Sequence, residues 1–276
     1  MAKYDIELVG KIGSMALIRD DKHDIDYNVF SRIGRDLVPG MIWVSSGAVE
    51  IGRLDYIKRT GMELEGDKSA VMTDYSSQGQ AILMEEYRRF IPAQYSVRQL
   101  LVEHTHFNDE SKREHIRAFL LRCPGQGAIP IVNYNDTVSF EENRRWELSK
   151  LRSNGLPKVV ECIDNDETAS VICTLVHSKL LLILTSADGI YLDPADPSTL
   201  VERVEGKDPE EVVEAISELQ KHCEGSSREG AGGARSKLEF IKAPVRQGTT
   251  VIISNGNFSI KDALEGRCRR TVFQVR

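Results

Sequence analysis

Short apolar runs alternate with segments of helical period along this chain, and most of the runs end in glycine, serine, asparagine or aspartate. Ile6–Val9 leads into Gly10-Lys11-Ile12-Gly13-Ser14, Met41–Val44 into Ser45-Ser46-Gly47-Ala48, and Ala128–Val132 into Asn133-Tyr134-Asn135-Asp136. Leu180–Leu184 and Val251–Ser254 read as further buried strands, and Val97–Val102 as another. Between them, helical spacing appears at Tyr27–Leu37, Lys68–Phe90, Asp109–Leu121 and after Asp164, with a proline-initiated helix at Asp208-Pro209 and one more ending near Arg246. Strands separated by helices predict a mostly parallel sheet with helices on both faces, a three-layer αβα sandwich. In such sheets ligands bind beyond the carboxyl ends of the strands, which is where the small and polar residues gather. The stretch from Ser139 to Pro157 is polar with no clean period and reads as a surface excursion or mobile loop.

Composition narrows the class of protein. At 41% hydrophobic and 28% charged over 276 residues, the chain has the make-up and length of a globular α/β domain with a real core. A net charge of −6 without a basic block argues against a nucleic-acid partner. The cationic cluster Arg267, Arg269 and Arg270 reads as a solvated or subunit-contact surface. Five widely spaced cysteines, with no C-x-x-C pair, argue against a disulfide framework or zinc site and for a reducing, cytoplasmic compartment. The longest apolar runs are far too short to span a bilayer, so no membrane association is expected.

Three segments have the chemistry of a phosphate site, where glycines admit backbone N–H groups, helix N-termini attract anions and lysines neutralise charge. They are Gly10–Ser14, Ser45–Ala48 and the glycine-rich Gly230–Lys237, which runs into a helix. None has the Walker A spacing or the G-x-G-x-x-G pattern. Each also has a plain structural reading: a turn with a solvated lysine, a helix capped by Ser45 or Ser46, and a flexible surface loop. Asn133–Asp136 and Asp164–Asp166 are equally compatible with ordinary turn and cap chemistry. Their order along the chain is more specific than any one of them.

That ordered set resembles the amino acid kinase family, and within it is most similar to the kinase domain of the glutamate 5-kinases. Lys11-Ile12-Gly13-Ser14 resembles the family's K-(L/I/V)-G-(T/S) signature. Ser45–Val49 with Gly52-Arg53 resembles its (T/S)-S-G-A-(I/V)-x-x-G-(R/K) signature. Ile131–Val138, Asp164-Asn165-Asp166, Leu181–Tyr191 and Gly230–Lys237 resemble V-(I/V)-N-E-N-D-x-V, G-D-N-D, L-L-L-L-T-D-x-x-G-L-Y and G-T-G-G-M-x-T-K. The resemblance covers nearly the whole chain. It implies a carbamate kinase-like fold in one domain, with an acceptor-binding part at roughly 1–170, a nucleotide-binding part at roughly 171–276, and no C-terminal PUA domain. It also implies ATP with Mg2+ as cofactors, a homo-oligomer, and phosphorylation of L-glutamate to glutamyl 5-phosphate, the first step of proline biosynthesis.

Roles are implied residue by residue. Lys11, Lys237 and Asp166 would be catalytic, the lysines on the transferring phosphoryl group and Asp166 holding them. Lys11, Gly13, Ser14, Thr185, Ser186, Tyr191, Ala231, Gly232, Gly233, Ala234, Arg235, Ser236 and Lys237 would line the nucleotide. Ser46, Gly47, Ala48, Asn133, Asn135, Asp136 and Asn165 would bind the acceptor. No dedicated metal ligands are expected, since magnesium keeps mainly to phosphate oxygens.

The sequence also departs from the glutamate-kinase pattern. Tyr134 stands in place of Glu, Ile163 in place of Gly, Ser186 in place of Asp and Ala234-Arg235 in place of Met-x, and the segment from Ser139 to Val160 is long. These differences leave open a different acceptor (another amino acid, another carboxylate or a phosphorylated metabolite) and a nucleotide-binding storage or regulatory protein without turnover. Arg235 is a candidate phosphate contact or a solvated helix residue.

Overall fold

The computed structural model describes residues 4–19, 22–139, 141–153, 159–162, 164–223 and 233–276. Its elements run β1 (Ile6–Ile12), β2 (Ile18–Arg19), β3 (Asp24–Ile25), α1 (Tyr27–Asp36), β4 (Met41–Ser45), α2 (Ala48–Thr60), α3 (Lys68–Phe90), β5 (Ser96–Val102), α4 (His104–Asn108), α5 (Glu110–Arg122) and β6 (Ala128–Tyr134). They continue with α6 (Glu141–Ser153), α7 (Asn165–Leu175), β7 (Ser178–Thr185), β8 (Arg203–Gly206), α8 (Pro209–His222), α9 (Ala234–Arg246), β9 (Thr250–Asn255), α10 (Ile260–Glu265) and β10 (Arg270–Val275).

Eight strands among the described residues form one sheet in the order β5-β6-β4-β1-β7-β9-β10-β8. The first six of these are parallel, β10 runs antiparallel to β9, and β8 pairs parallel to β10. The side-chain period of two sorts the strands' residues into two cores. Val9, Val44, Leu181, Ile183, Val251 and Ile253 pack on one face with α5, α7, α8 and α9. Leu8, Trp43, Leu182, Leu184 and Ile252 pack on the other with α1, α2, α3 and α10. The three layers match the architecture expected from the sequence.

Local chemistry explains where helices begin. Asp26, Asp67, Asp109, Asp164 and Asp208 each accept first-turn N–H groups at the starts of α1, α3, α5, α7 and α8. The helix α2 starts differently. Gly47, at φ 106, precedes it with no side-chain cap, a conformation that favours glycine. Ser45 and Ser46, considered as caps from sequence, make other bonds. Ser45 Oγ donates to Ser46 O and bonds the Tyr87 hydroxyl at 2.8 Å. Trp43 Nε1 donates to the same hydroxyl at 2.9 Å. This fully buried chain fastens the end of β4 to α3.

Two other expectations change. Gly10 and Lys11 are not in a turn but inside β1, with Gly10 opposite Trp43. A Cβ at Gly10 would come within 2.1 Å of the Trp43 ring, so the indole occupies the space glycine leaves. Much of the segment read as a loop from Ser139 is helical, as α6. Only Leu148 and, in part, Glu147 and Leu151 among its described side chains turn inward, too thin an apolar stripe for a clear helical period.

The helices α2 and α3 cross through glycines. A Cβ at Gly52 would lie 1.9 Å from Tyr75 O, and one at Gly79 would lie 1.8 Å from Ala48 O. Gly52, part of the signature quoted above, therefore admits backbone-to-backbone contact between helices. No helix among the described residues is long and apolar enough to cross a membrane.

Candidate active site

The ends of the four middle strands lie level. Ser46 N donates to Ile12 O, Gly13 N to Leu184 O and Gly256 N to Thr185 O, at 3.1, 3.1 and 2.8 Å. Lys11 and Asp166 meet beside this row. Lys11 is 6% exposed and Asp166 3%. Lys11 Nζ lies 2.6 Å from Asp166 Oδ1, and Lys237 Nζ lies 2.9 Å from Asp166 Oδ2. One carboxylate thus holds two ammonium groups drawn from β1 and α9. The Lys11 ammonium curls back to within 3.7 Å of where a Gly13 side chain would start.

Electrostatics follow from this arrangement. Burial pushes the Asp166 carboxyl up, yet the charges of Lys11 and Lys237 outweigh it and hold the group below the usual carboxylate range. Its neighbour goes the other way. Burial first, and then the charge of Asp166, push the Asp164 carboxyl above that range, against the N–H groups of Glu167 and Asp166 that it accepts. Two carboxylates two residues apart are split by which of them receives the lysines.

Helix N-termini converge here. Asp166 is in the first turn of α7, Lys237 in the first turn of α9, and Asn165 Nδ2 donates at 3.1 Å to Ser46 Oγ just before α2. Neither Gly47 before α2 nor Gly233 before α9 carries a side-chain cap. The aligned peptide dipoles of these two helices favour an anionic ligand at the junction.

A polar network continues from Asn165. Its Nδ2 also donates to Asn133 Oδ1 at 2.9 Å, and Asn133 Nδ2 donates to Gln80 Oε1 at 2.8 Å. Asn165 Oδ1 and Gln80 Nε2 are buried with no hydrogen-bond partner among the described residues. An orphaned acceptor and an orphaned donor on one network suit a small ligand bearing both polarities. Gln80 was not foreseen from sequence. Its signal is a polar side chain among Ser76, Gly79 and Leu83, the buried positions of α3.

The other expected residues are placed as follows. Gly47 and Ala48 are buried at the start of α2. Asn135 turns to Glu103, donating to Oε1 at 3.3 Å, and Asp136 lies half-buried in the turn after β6. Gly13 and Ser14 follow β1, where Ser14 opens a short 3-10 turn. Thr185 ends β7 and Ser186 is exposed, its carbonyl accepting from Asn255 Nδ2 at 3.2 Å. Tyr191 sits apart, its hydroxyl on Asp188 Oδ2 at 3.2 Å and the Arg269 guanidinium 5.9 Å above its ring. At the start of α9, Ala234 is half-buried, Arg235 is exposed and Ser236 Oγ folds back to Gly233 O at 2.9 Å. Ala231 and Gly232 lie outside the described residues. The arginines of the C-terminal cluster bond within the chain, Arg267 to Asp262 at 2.8 Å and Arg270 to Leu264 O at 2.8 Å.

Among the described residues no group of three or more His, Cys, Asp or Glu side chains is arranged to hold a metal ion. The charge pattern is instead that of a site for a small, strongly anionic ligand.

Comparison with known proteins agrees with this geometry. The sequence profile of the amino acid kinase family matches residues 8–255. The chain is 31% identical over 283 aligned positions to a glutamate 5-kinase of Alkaliphilus metalliredigens, covering 98% of this chain and 96% of that protein. It is 30% identical to a glutamate 5-kinase of Clostridium perfringens, covering 95% and 89%. In fold it is similar to carbamate kinase from Giardia lamblia bound to AMP-PNP, with a TM-score of 0.56 at 14% identity and 98% of each chain covered. UMP kinase from Ureaplasma parvum gives a TM-score of 0.54 at 13% identity, covering 98% of this chain and 99% of that one. The chain belongs to the amino acid kinase family.

Proposed function

We propose that this chain transfers the γ-phosphoryl group of ATP to a carboxylate of a small acceptor, with L-glutamate as the acceptor and glutamyl 5-phosphate as the product, the reaction that opens proline synthesis. The observation that carries the reading is the buried Lys11–Asp166–Lys237 cluster at the junction of helix N-termini. The acceptor is supported by about 30% identity to proteins named glutamate 5-kinase over nearly the whole chain.

The chemistry needs little more than position and charge. The acceptor carboxylate is ionised at neutral pH, so no general base is required. One of its oxygens attacks the γ-phosphorus in line, the bond to the β-phosphate oxygen breaks, and ADP leaves. Lys11 and Lys237 neutralise charge on the group in flight, and Asp166 fixes both ammonium positions beforehand, so little reorganisation is needed at the moment of transfer. Gly13, Gly47 and Gly233 let the backbone approach phosphate oxygens, while Ser46, Asn133 and Asn165 take the acceptor. Both oxygens of Asp166 face lysines, so the magnesium ion this reading implies would travel on the phosphates of the nucleotide.

The sheet divides in a way that fits two binding parts. Strands β5, β6, β4 and β1 come from the first half of the chain and β7, β9, β10 and β8 from the second. We assign the acceptor to roughly 1–170 and the nucleotide to roughly 171–276.

A second reading keeps the phosphoryl transfer and changes the acceptor. It is favoured by Tyr134, which replaces the family's Glu and whose hydroxyl bonds Ser139 Oγ at 2.6 Å. The test is ADP release from Mg-ATP with a panel of small acids, with hydroxylamine present to trap an acyl phosphate. Glutamate-dependent hydroxamate supports the first reading, and turnover with a different acid alone supports the second. ATP binding without turnover on any acid overturns both.

A further inference from the structure

The short helix α4 anchors the segment from Ser139 to Val160 at both ends. At its far end, Asn108 clasps the backbone of Val160, with Nδ2 donating to Val160 O at 2.7 Å and Oδ1 accepting from Val160 N at 2.9 Å. At its near end stands His104, 1% exposed. His104 Nε2 lies 2.8 Å from Glu147 Oε2 of α6, and Nδ1 lies 3.4 Å from the Tyr134 hydroxyl. That hydroxyl also bonds Ser139 Oγ at 2.6 Å. Beside Glu147, Leu148 is buried.

The chemistry of a buried imidazole explains the arrangement. A neutral ring presents one donor and one acceptor nitrogen, and each needs a counterpart when water is excluded. Nε2 has no in-line hydrogen-bond partner among the described residues, and the Glu147 carboxylate 2.8 Å away faces it. Nδ1 faces the Tyr134 hydroxyl, which also bonds Ser139 Oγ. The chain of contacts runs from α6 through α4 to the last residue of β6 and the turn that follows it. That turn, Asn135 to Ser139, holds two residues assigned above to the acceptor, and Asn135 is further tied to Glu103 next to α4.

We propose that Glu147, His104 and Tyr134 form a latch that seats α6 against the Asn135–Ser139 turn, making Glu147 and His104 positioning residues for the acceptor. The link to acceptor binding rests on the function proposed above; the latch itself does not. Tyr134 is then a replacement with a purpose of its own. The phenol gives up the carboxylate found at this place in the glutamate kinases and joins the strand end to the helix that the long segment forms.

The test compares wild type, Glu147→Ala, Glu147→Gln and Tyr134→Phe by amide hydrogen exchange over residues 135–139 and 141–153, and by kinetics with ATP and glutamate. Glu147→Ala is expected to speed exchange in both segments by about tenfold and to raise the KM for glutamate by about tenfold, on the scale of one lost charge-assisted contact. The KM for ATP and kcat should stay within about twofold, since the lysine cluster is untouched. Glu147→Gln keeps an oxygen toward His104 and should restore most of both losses. Tyr134→Phe should loosen the turn more than α6. Unchanged exchange in Glu147→Ala overturns the latch. Faster exchange with an unchanged glutamate KM overturns the positioning role. Absence of glutamate turnover in the wild type would overturn the functional reading instead, and exchange alone would then decide the latch.

Discussion

Lys11 Nζ sits 2.6 Å from Asp166 Oδ1 with both side chains almost wholly out of water. A buried cation is tolerated only while its counter-charge is present. Asp166→Asn leaves two ammonium groups facing a neutral amide, and should cost about 3–5 kcal/mol in urea unfolding as well as turnover. The acid dependence has a definite sign. Asp166 is held below its ordinary range, so its stabilisation is present above the unfolded carboxylate pKa, near 4, and is lost as pH falls through the still lower folded value. The gap between wild type and Asp166→Asn should therefore narrow only in acid below about pH 4.

Lys237 is the more accessible of the two lysines, with 17% of its side chain exposed. Lys237→Ala should leave urea unfolding close to wild type and cut turnover by about a hundredfold or more, the scale of a lost transition-state contact. Near-normal turnover would remove Lys237 from the mechanism.

Asp164 gives the opposite pH signature. Its carboxyl is raised in the folded chain, so the folded state is most favoured where the group is protonated and loses stability as pH rises through the folded value. Asn caps a helix about as well as Asp. Asp164→Asn should therefore be more stable than wild type at pH 7, with the advantage shrinking as pH falls toward 4. An advantage that does not vary with pH would show that the carboxyl is not raised.

Gly79 faces the Ala48 carbonyl at a distance that no side chain can share. Gly79→Ala forces α2 and α3 apart and should cost about 3 kcal/mol, at the upper end for overpacking, read as a fall in melting temperature. Because α2 begins at Gly47, the same variant should weaken acceptor binding as well.

The layered architecture was legible because buried strands and amphipathic helices leave different periods, and because aspartates mark helix starts. Lys11 shows where legibility stops. A lysine between glycines looks like solvated turn chemistry, and only its pairing with Asp166, far away in the chain, explains why it can lie inside β1. Ser45 is similar. As a hydroxyl before a helix it reads as a cap, yet it is claimed by Tyr87 on α3 while Gly47 makes the turn. The helix α6 escaped notice because, among its described side chains, Leu148 and Leu151 do not make a stripe, and Glu147 faces His104. The motif resemblance picked out Ser46, Asn133 and Asn165, which the structure joins directly, but could not supply Gln80, which the contact to Asn133 alone brings in.

Because β10 runs against β9, pairing Phe273 with Val251, β10 finishes on the same side of the sheet as the start of β1. Between them lie β7 and β9, so the two strand ends are about 14 Å apart at ordinary strand spacing. Both face away from the lysine cluster. A probe or tether attached at either strand end would leave the ligand-facing side open to solution.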